Sequence, residues 1–423
     1  MVINVGVIVN KGFEKAAVVQ IRELLEHPKD IVVDDTIVTF GISEWESVYR
    51  FIYKNQISNR IIYFMGKFDY EDDKDLLFKT GKLFSKDFNN ELLKQLISSG
   101  ADFRVSLSTD EHTDVTWLES EIGGIIIEYA RLQGFNMKVN LKNPIINFYI
   151  HIHNNTAYLG IDLSGDLSKR DYKIFNNAVS LKGPTAFGFL MLAGYKSTDA
   201  YLNPCCYSGT IEIEAALYAS NLSHRFYNKS FPFMKFSIAE GIDWDKFFKK
   251  IDDERIDIDK SGRMDMTACS ITGSDKLLSS ISAATKNAKI AGVESLIDFR
   301  RVDLDWMDIK YEEASLDKII SFIPGSSKHD KNLAKDYKQI FYQSEYILKK
   351  KGLLVIMCLS KDLLIQSSSD YFDLDHEVLV HSGGQMMHVL FFKRKNKANK
   401  VDNKTNKVDK SNKTVTDDKT DDK

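Results

Sequence analysis

The sequence predicts an α/β protein whose carboxy-terminal half, residues 196–395, folds as a doubly wound sheet behind two smaller α+β units. Three observations predict it. From residue 200 onward, apolar strand runs alternate with helical patterns: AYLNPCC, ACSITGSD, IDFRRVD, KIISFIP and LLVIMCLS are the strands. TIEIEAALYAS, KLLSSISAATKNAKIAG and KDYKQIFYQSEYILKKK are helices between them. HEVLVHSGGQMMHVLFFKRK then closes the series as an antiparallel hairpin, turned at Ser382-Gly383-Gly384. Such alternation builds a parallel sheet with ligands at the carboxyl ends of its strands.

The first 165 residues read differently. VINVGVIV, the helical EKAAVVQIRELLEH, two strands around Asp34-Asp35, the helix WESVYRFIYKN and the strand IIYFMGKF follow one another. That order implies a small α+β domain over 1–68. A second unit, 69–165, contains the helix FSKDFNNELLKQLISS, the strand FRVSLST and the amphipathic helix VTWLESEIGGIIIEYARLQG. Three strand signals, MKVNLKNP, INFYIHIHN and TAYLGIDLSG, complete it. Residues 166–195 form a basic connector and a helix. Residues 396–423 repeat Lys, Asn, Asp and Thr without apolar periodicity, which predicts a disordered tail.

Composition narrows the functional classes. The chain has 423 residues, 43% hydrophobic and 11% aromatic, enough for more than one buried core. A net charge of −3 means that any nucleic-acid site is a local basic patch. The four cysteines, Cys205, Cys206, Cys269 and Cys358, have no metal-ligand spacing and fit reduced, packed thiols. His151 and His153 alternate on one strand face with no third ligand at suitable spacing, so no metal is expected. FPFMKF at 231–236 fits core or lid. The amino terminus carries no secretory pattern, and no apolar run reaches the length of a bilayer span. The expectation is a cytoplasmic protein.

The loops that follow the strands carry the candidate chemistry. Asn203-Pro204-Cys205-Cys206-Tyr207-Ser208-Gly209-Thr210 joins the first strand to its helix, where a cofactor meets backbone N–H groups. The second strand ends in Asp275, an acid placed for a ribose; the third ends in Asp303, placed for an adenine amine. The fourth ends in Ser321-Phe322-Ile323-Pro324-Gly325-Ser326. Four loops in this order are a stronger signal than any one of them.

These segments resemble the THUMP-domain class I RNA methyltransferases that act on the exocyclic amine of guanine. NPCCYSGTIEIEAAL is similar to their D-P-x-C-G-S-G-T-x-x-I-E-A-A motif. ITGSDKLLSSISAATKNAKIAGV and FRRVDLDWMD resemble their second and third motifs. AYLGIDLSGDLSKRDYK with SLKGPTAFGFLML resembles the family's link into the catalytic domain. The Ser-Gly-Thr form favours the archaeal tRNA and bacterial large-subunit rRNA guanine-N2 branches. The resemblance implies a ferredoxin-like domain (1–68), a THUMP RNA-binding domain (69–165) and a Rossmann-like methyltransferase domain (196–395). It implies S-adenosylmethionine held by Asn203, Cys206, Ser208, Gly209, Thr210, Asp275 and Asp303. It implies structured RNA, tRNA above all, as partner; the connector cations Lys169, Arg170 and Lys173 fit either phosphate contacts or a solvated connector. The target guanine would leave its stack and enter the fourth loop, where Phe322 and Pro324 occupy the family's Asn-x-Pro-aromatic positions.

The chain departs from that pattern where chemistry is concentrated. Asn203 replaces the family's Asp, and Tyr207 its first loop glycine. Phe322 replaces the Asn that accepts from the target amine, and Gly325 the stacking aromatic. Two readings follow: a guanine-N2 methyltransferase with an unusual site, or a catalytically impaired relative that binds structured RNA, alone or beside a protein partner.

Overall fold

In the computed structural model, residues 2–87, 101–109, 114–176, 179–255, 270–325 and 333–395 are described. The expected tail at 396–423, Cys269, Ser326 and most of the expected helix at 84–99 lie outside them.

Alternating β-branched residues make β1 (Ile3–Ile8) a strand buried along most of its length. Helix α1 (Glu14–Leu24), β2 (Lys29–Asp34), β3 (Ile37–Ile42), α2 (Trp45–Lys54) and β4 (Arg60–Asp69) follow. Helix α3 (Asp73–Asp87) begins ahead of the expected helix. Then come β5 (Asp102–Thr109), α4 (Val115–Leu132), the two-residue β6 (Lys138–Val139), β7 (Ile146–His153) and β8 (Thr156–Asp162). These strands form one eight-stranded sheet in the order β2-β3-β1-β4-β8-β7-β5-β6. The sequence boundary at residue 68 falls at the end of β4. That strand is ten residues long and offers both edges, pairing β1 on one side and β8 on the other.

The carboxy-terminal half begins with α5 (Gly183–Leu192), β9 (Ala200–Asn203) and α6 (Thr210–Ala219). A segment with helix α7 (Trp244–Asp252) intervenes before β10 (Ser270–Asp275). Its Phe231, Phe233 and Phe236 are buried; Phe233 stacks on Tyr49 and lies tilted against Trp244, and Phe231 meets Tyr53 edge-on, so the aromatic residues of FPFMKF are core. Helix α8 (Leu278–Ala291), β11 (Ile297–Arg301), the short α9 (Met307–Lys310) and β12 (Leu316–Phe322) continue the alternation. Helix α10 (Leu333–Ile347), β13 (Leu348–Cys358), α11 (Asp362–Ser368), β14 (Phe372–Ser382) and β15 (Gln385–Arg394) complete it. The sheet order is β11-β10-β9-β12-β13-β15-β14, with β14 and β15 antiparallel at one edge. Central strands β9, β12 and β13 are apolar on both faces, as a sheet covered twice requires.

The two halves are joined by a buried ion pair. Arg170 Nε donates to Glu214 Oε1 at 2.7 Å, and neither side chain is exposed. Tyr172 and the Gln56 amide also donate to that carboxylate, at 2.8 Å each. Arg170 in turn donates to the carbonyls of Gln56 and Leu167. Removing one member strands a charge in a dry site. Arg170→Met should cost about 3–5 kcal/mol, read by urea denaturation. The double variant Arg170→Met with Glu214→Leu should cost less than the sum of the two single changes.

Candidate functional site

Parallel strands β9, β10, β11 and β12 end on one edge of the second sheet. That edge gathers Asn203, Asp275, Asp303 and Phe322. The loop after β9 is held closely. Asn203 Oδ1 accepts from Cys205 N–H (3.1 Å) and from Ser321 Oγ (2.8 Å), tying the first strand to the fourth. Cys206 N–H donates to Ser274 O, and Gly209 N–H to Cys206 O. Gly209 has φ +79°, and a Cβ there would stand 2.8 Å from Ala284 Cβ. Only glycine fits where α6 starts against α8. Cys206, Ser208 and Thr210 are buried beside it.

Tyr207 also has φ +50°, the strained left-handed conformation that its place in the loop predicts for a non-glycine residue. Its N–H donates to Asp275 Oδ2 at 3.2 Å, while Leu277 N–H donates to Oδ1 at 2.8 Å. Both oxygens of the expected ribose ligand are thus engaged inside the protein. Burial pushes the Asp275 carboxyl above its ordinary range. Asp303 is exposed, and its carboxylate caps the short turn before α9 by accepting from Asp305 N–H at 3.4 Å.

Phe322 is 5% exposed and packs in the core shared with the first half of the chain. Pro324 is half-buried, and its carbonyl accepts from Leu359 N–H. Gly325 has φ +74°, and a Cβ there would stand 3.1 Å from the Tyr337 hydroxyl. Tyr337, from α10, is fully buried in the adjoining core, so its hydroxyl takes the space next to the loop's missing aromatic. Asn203, Tyr207, Phe322 and the connector residue Ser180 line one small, half-open pocket at this edge.

The connector corrects one expectation. Arg170 does not reach toward RNA, because its guanidinium is consumed by Glu214 and two carbonyls. Lys173 also points inward, donating to the carbonyls of Ser180 and Leu181, and burial lowers it to about 8. A charge run reads as a solvated face unless partners far along the chain claim it, and here Gln56 and Glu214 do. Lys169 alone of the three faces solvent, its side chain 82% exposed and its ammonium 3.9 Å from Asp166.

Three further residues shape the site. Ser180 hydrogen-bonds Ser208 through their hydroxyls. Asn287 binds both backbone groups of Phe175 and donates to Ser208 O at 3.0 Å, pinning the connector to the loop. Its place in KNAKIAG was its only sequence signal. Glu212, in the first turn of α6, is fully buried, and neither of its oxygens makes a formed hydrogen bond among the described residues. Burial pushes its carboxyl up to about 8, while its own N–H and the Asn203 amide pull the other way. A carboxyl raised on folding stabilises below its unfolded value and loses that contribution as pH rises through about 8. Thermal melts from acid to alkaline pH should therefore show Glu212→Gln gaining on the parent chain as pH rises from about 4.5 to about 8, with little difference below that range.

Comparisons with known proteins agree with this geometry. Residues 170–387 match the family model described as UPF0020, RMKL-like, methyltransferase domain. A tRNA (guanine(6)-N2)-methyltransferase of Archaeoglobus fulgidus is 25% identical over 301 residues, covering 69% of this chain and 70% of the relative. One of Methanocaldococcus jannaschii is 28% identical over 279 residues, covering 63% and 68%. The ribosomal RNA large subunit methyltransferase K/L of Vibrio parahaemolyticus is 22% identical over 306 residues, but the match spans only 40% of that longer protein. Among solved structures, a possible methylase from Clostridium difficile 630 superposes with a TM-score of 0.74 at 20% identity, covering 94% of this chain and 99% of that one. TrmN from Thermus thermophilus does so at 0.64 and 18%, covering 93% and 100%. At such identities these two structures establish the fold alone. The family match covers more than half the chain and coincides with the sheet whose strand ends form the cleft, so this protein belongs to the RMKL-like methyltransferase family.

Proposed function

We propose that this protein acts on structured RNA as a guanine-N2-type methyltransferase whose cleft is closed at rest, with S-adenosylmethionine as the family's methyl donor. The observation that carries the reading is the strand order β11-β10-β9-β12-β13-β15-β14, with the four motif loops gathered at its edge. The relatives that match this region are tRNA and rRNA methyltransferases. The first 165 residues, read as ferredoxin-like and THUMP units, supply the RNA-binding surface in this proposal. Among the described residues no helix is long and apolar enough to cross a membrane, and we place the protein in the cytoplasm with its RNA.

The cleft as it stands does not fit that donor. Asn203, Asp275 and the turn at Gly209 lie where a nucleoside-bearing cofactor would need them. Tyr207 and Phe322 line the small pocket beside Asn203, where the family pattern has a glycine and an asparagine. A second reading, a catalytically impaired RNA-binding relative, is favoured by Phe322, which offers no acceptor to an exocyclic amine.

Two outcomes follow. Unmodified tRNA or rRNA transcripts should bind with affinity that falls steeply with salt, because phosphate contacts release counterions. Lys169→Ala should reduce the slope of log affinity against log salt by about one. Tritiated methyl transfer should be slow, and Phe322→Asn should raise it by roughly 100- to 1,000-fold, the usual weight of one positioning contact. A chain that retains no RNA at low salt would refute the RNA reading. Absent transfer in both forms would leave the impaired reading.

A further inference from the structure

We propose that Tyr207 decides whether the cleft takes its nucleoside-bearing cofactor: its ring is the plug, and the cofactor is admitted only when the ring leaves. The inference rests on the methyltransferase reading of the cleft and names the residue that controls it.

Three independent observations place the plug at Tyr207. The first is conformational. At φ +50° a tyrosine carries backbone strain, a cost that persists only where the surroundings impose it. The second is positional. The Tyr207 N–H engages Asp275, and the side chain lines the same small cleft as Asn203 and Phe322. Burial and the neighbouring Cys205 and Asp275 push the phenol far above its ordinary value, so it stays neutral in the cleft. The third is the wall behind it. Ser180 and Asn287 fasten the connector to Ser208, the residue next to Tyr207, so the loop has little freedom to move as a body. The adjustable element is therefore the ring itself, which is only half-buried and packs against the edge of the core.

A closed state lowers apparent affinity by the fraction of molecules that are open. If the ring is out in about 1–10% of molecules, affinity is weakened about 10- to 100-fold. Removing the ring should return that factor. The substitution also suits the backbone, because glycine and asparagine both accept the left-handed region.

The test is calorimetric titration of the full chain with S-adenosylhomocysteine, which does not turn over, in the absence of RNA. Tyr207→Gly and Tyr207→Asn should each bind about 10- to 100-fold more tightly than the parent chain. Tyr207→Phe keeps the ring and should bind as weakly as the parent. Thermal melts of each variant establish that it is folded, and two small replacements guard against one misfolding. Equal binding by the parent chain and both small variants would overturn the proposal. So would an absence of binding in all of them, which would move the obstruction to Phe322. A gain in Tyr207→Phe equal to that in Tyr207→Gly would also overturn it, since the ring volume would then not matter. Because no RNA or methyl transfer enters the measurement, its failure is separate from failure of the RNA reading.

Discussion

A guanidinium and a carboxylate, both sealed from water, set the relation between the two sheets. Placing Arg170 and Glu214 in a dry interior is costly unless nearly every donor and acceptor is matched. Here the matching groups come from three places in the chain. Gln56 belongs to the first unit, Arg170 and Tyr172 to the connector, and Glu214 to α6. The network is complete only when all three meet. A second seam acts the same way: His381 N–H donates to Lys11 O at 2.8 Å, and Asn10 reaches Thr185, which contacts Ser382. The first sheet is thereby held in one orientation beside the cleft.

That rigidity bears on the cleft because the connector leaves the ion pair and runs straight to the cofactor loop. Lys173 holds the carbonyls of Ser180 and Leu181, and Ser180 holds Ser208. The loop's two positive-φ positions sit in opposite circumstances. At Gly209 the conformation is free of side-chain cost, and close packing against Ala284 requires it. At Tyr207 the same backbone region carries a large ring. The strained position is the one facing the space where chemistry would occur, the usual distribution of strain in folded proteins.

Much of the second sheet was legible beforehand because its strands are short apolar runs punctuated by turn residues, and its helices follow the 3.6-residue period. The strand-end loops were legible too, since Asp275 and the Asn203–Thr210 loop stand at fixed offsets from those runs. Less could be read from the connector. Lys169, Arg170 and Lys173 look alike in sequence, but one faces water and two face inward. Glu212 gave no signal of its burial, since an acid in the first turn of a helix ordinarily faces the solvent and favours the dipole. Only the close approach of β10 and its neighbours makes it a core residue.

By itself, then, the sequence determined the local elements, the order of the strand-end loops and the family to which those loops belong. These depend on side-chain periodicity and on spacing along the chain, which are properties of neighbours in sequence. Tertiary structure alone decided that the first eight strands make one sheet, that Arg170 is a strut and not a phosphate ligand, and that Tyr207 and Phe322 line one pocket beside Asn203. Each of these depends on which distant groups meet in a low-dielectric interior. The matching of Gln56 to Glu214, of Ser321 to Asn203 and of Tyr337 to Gly325 is fixed by packing across more than one segment, and no local pattern carries it.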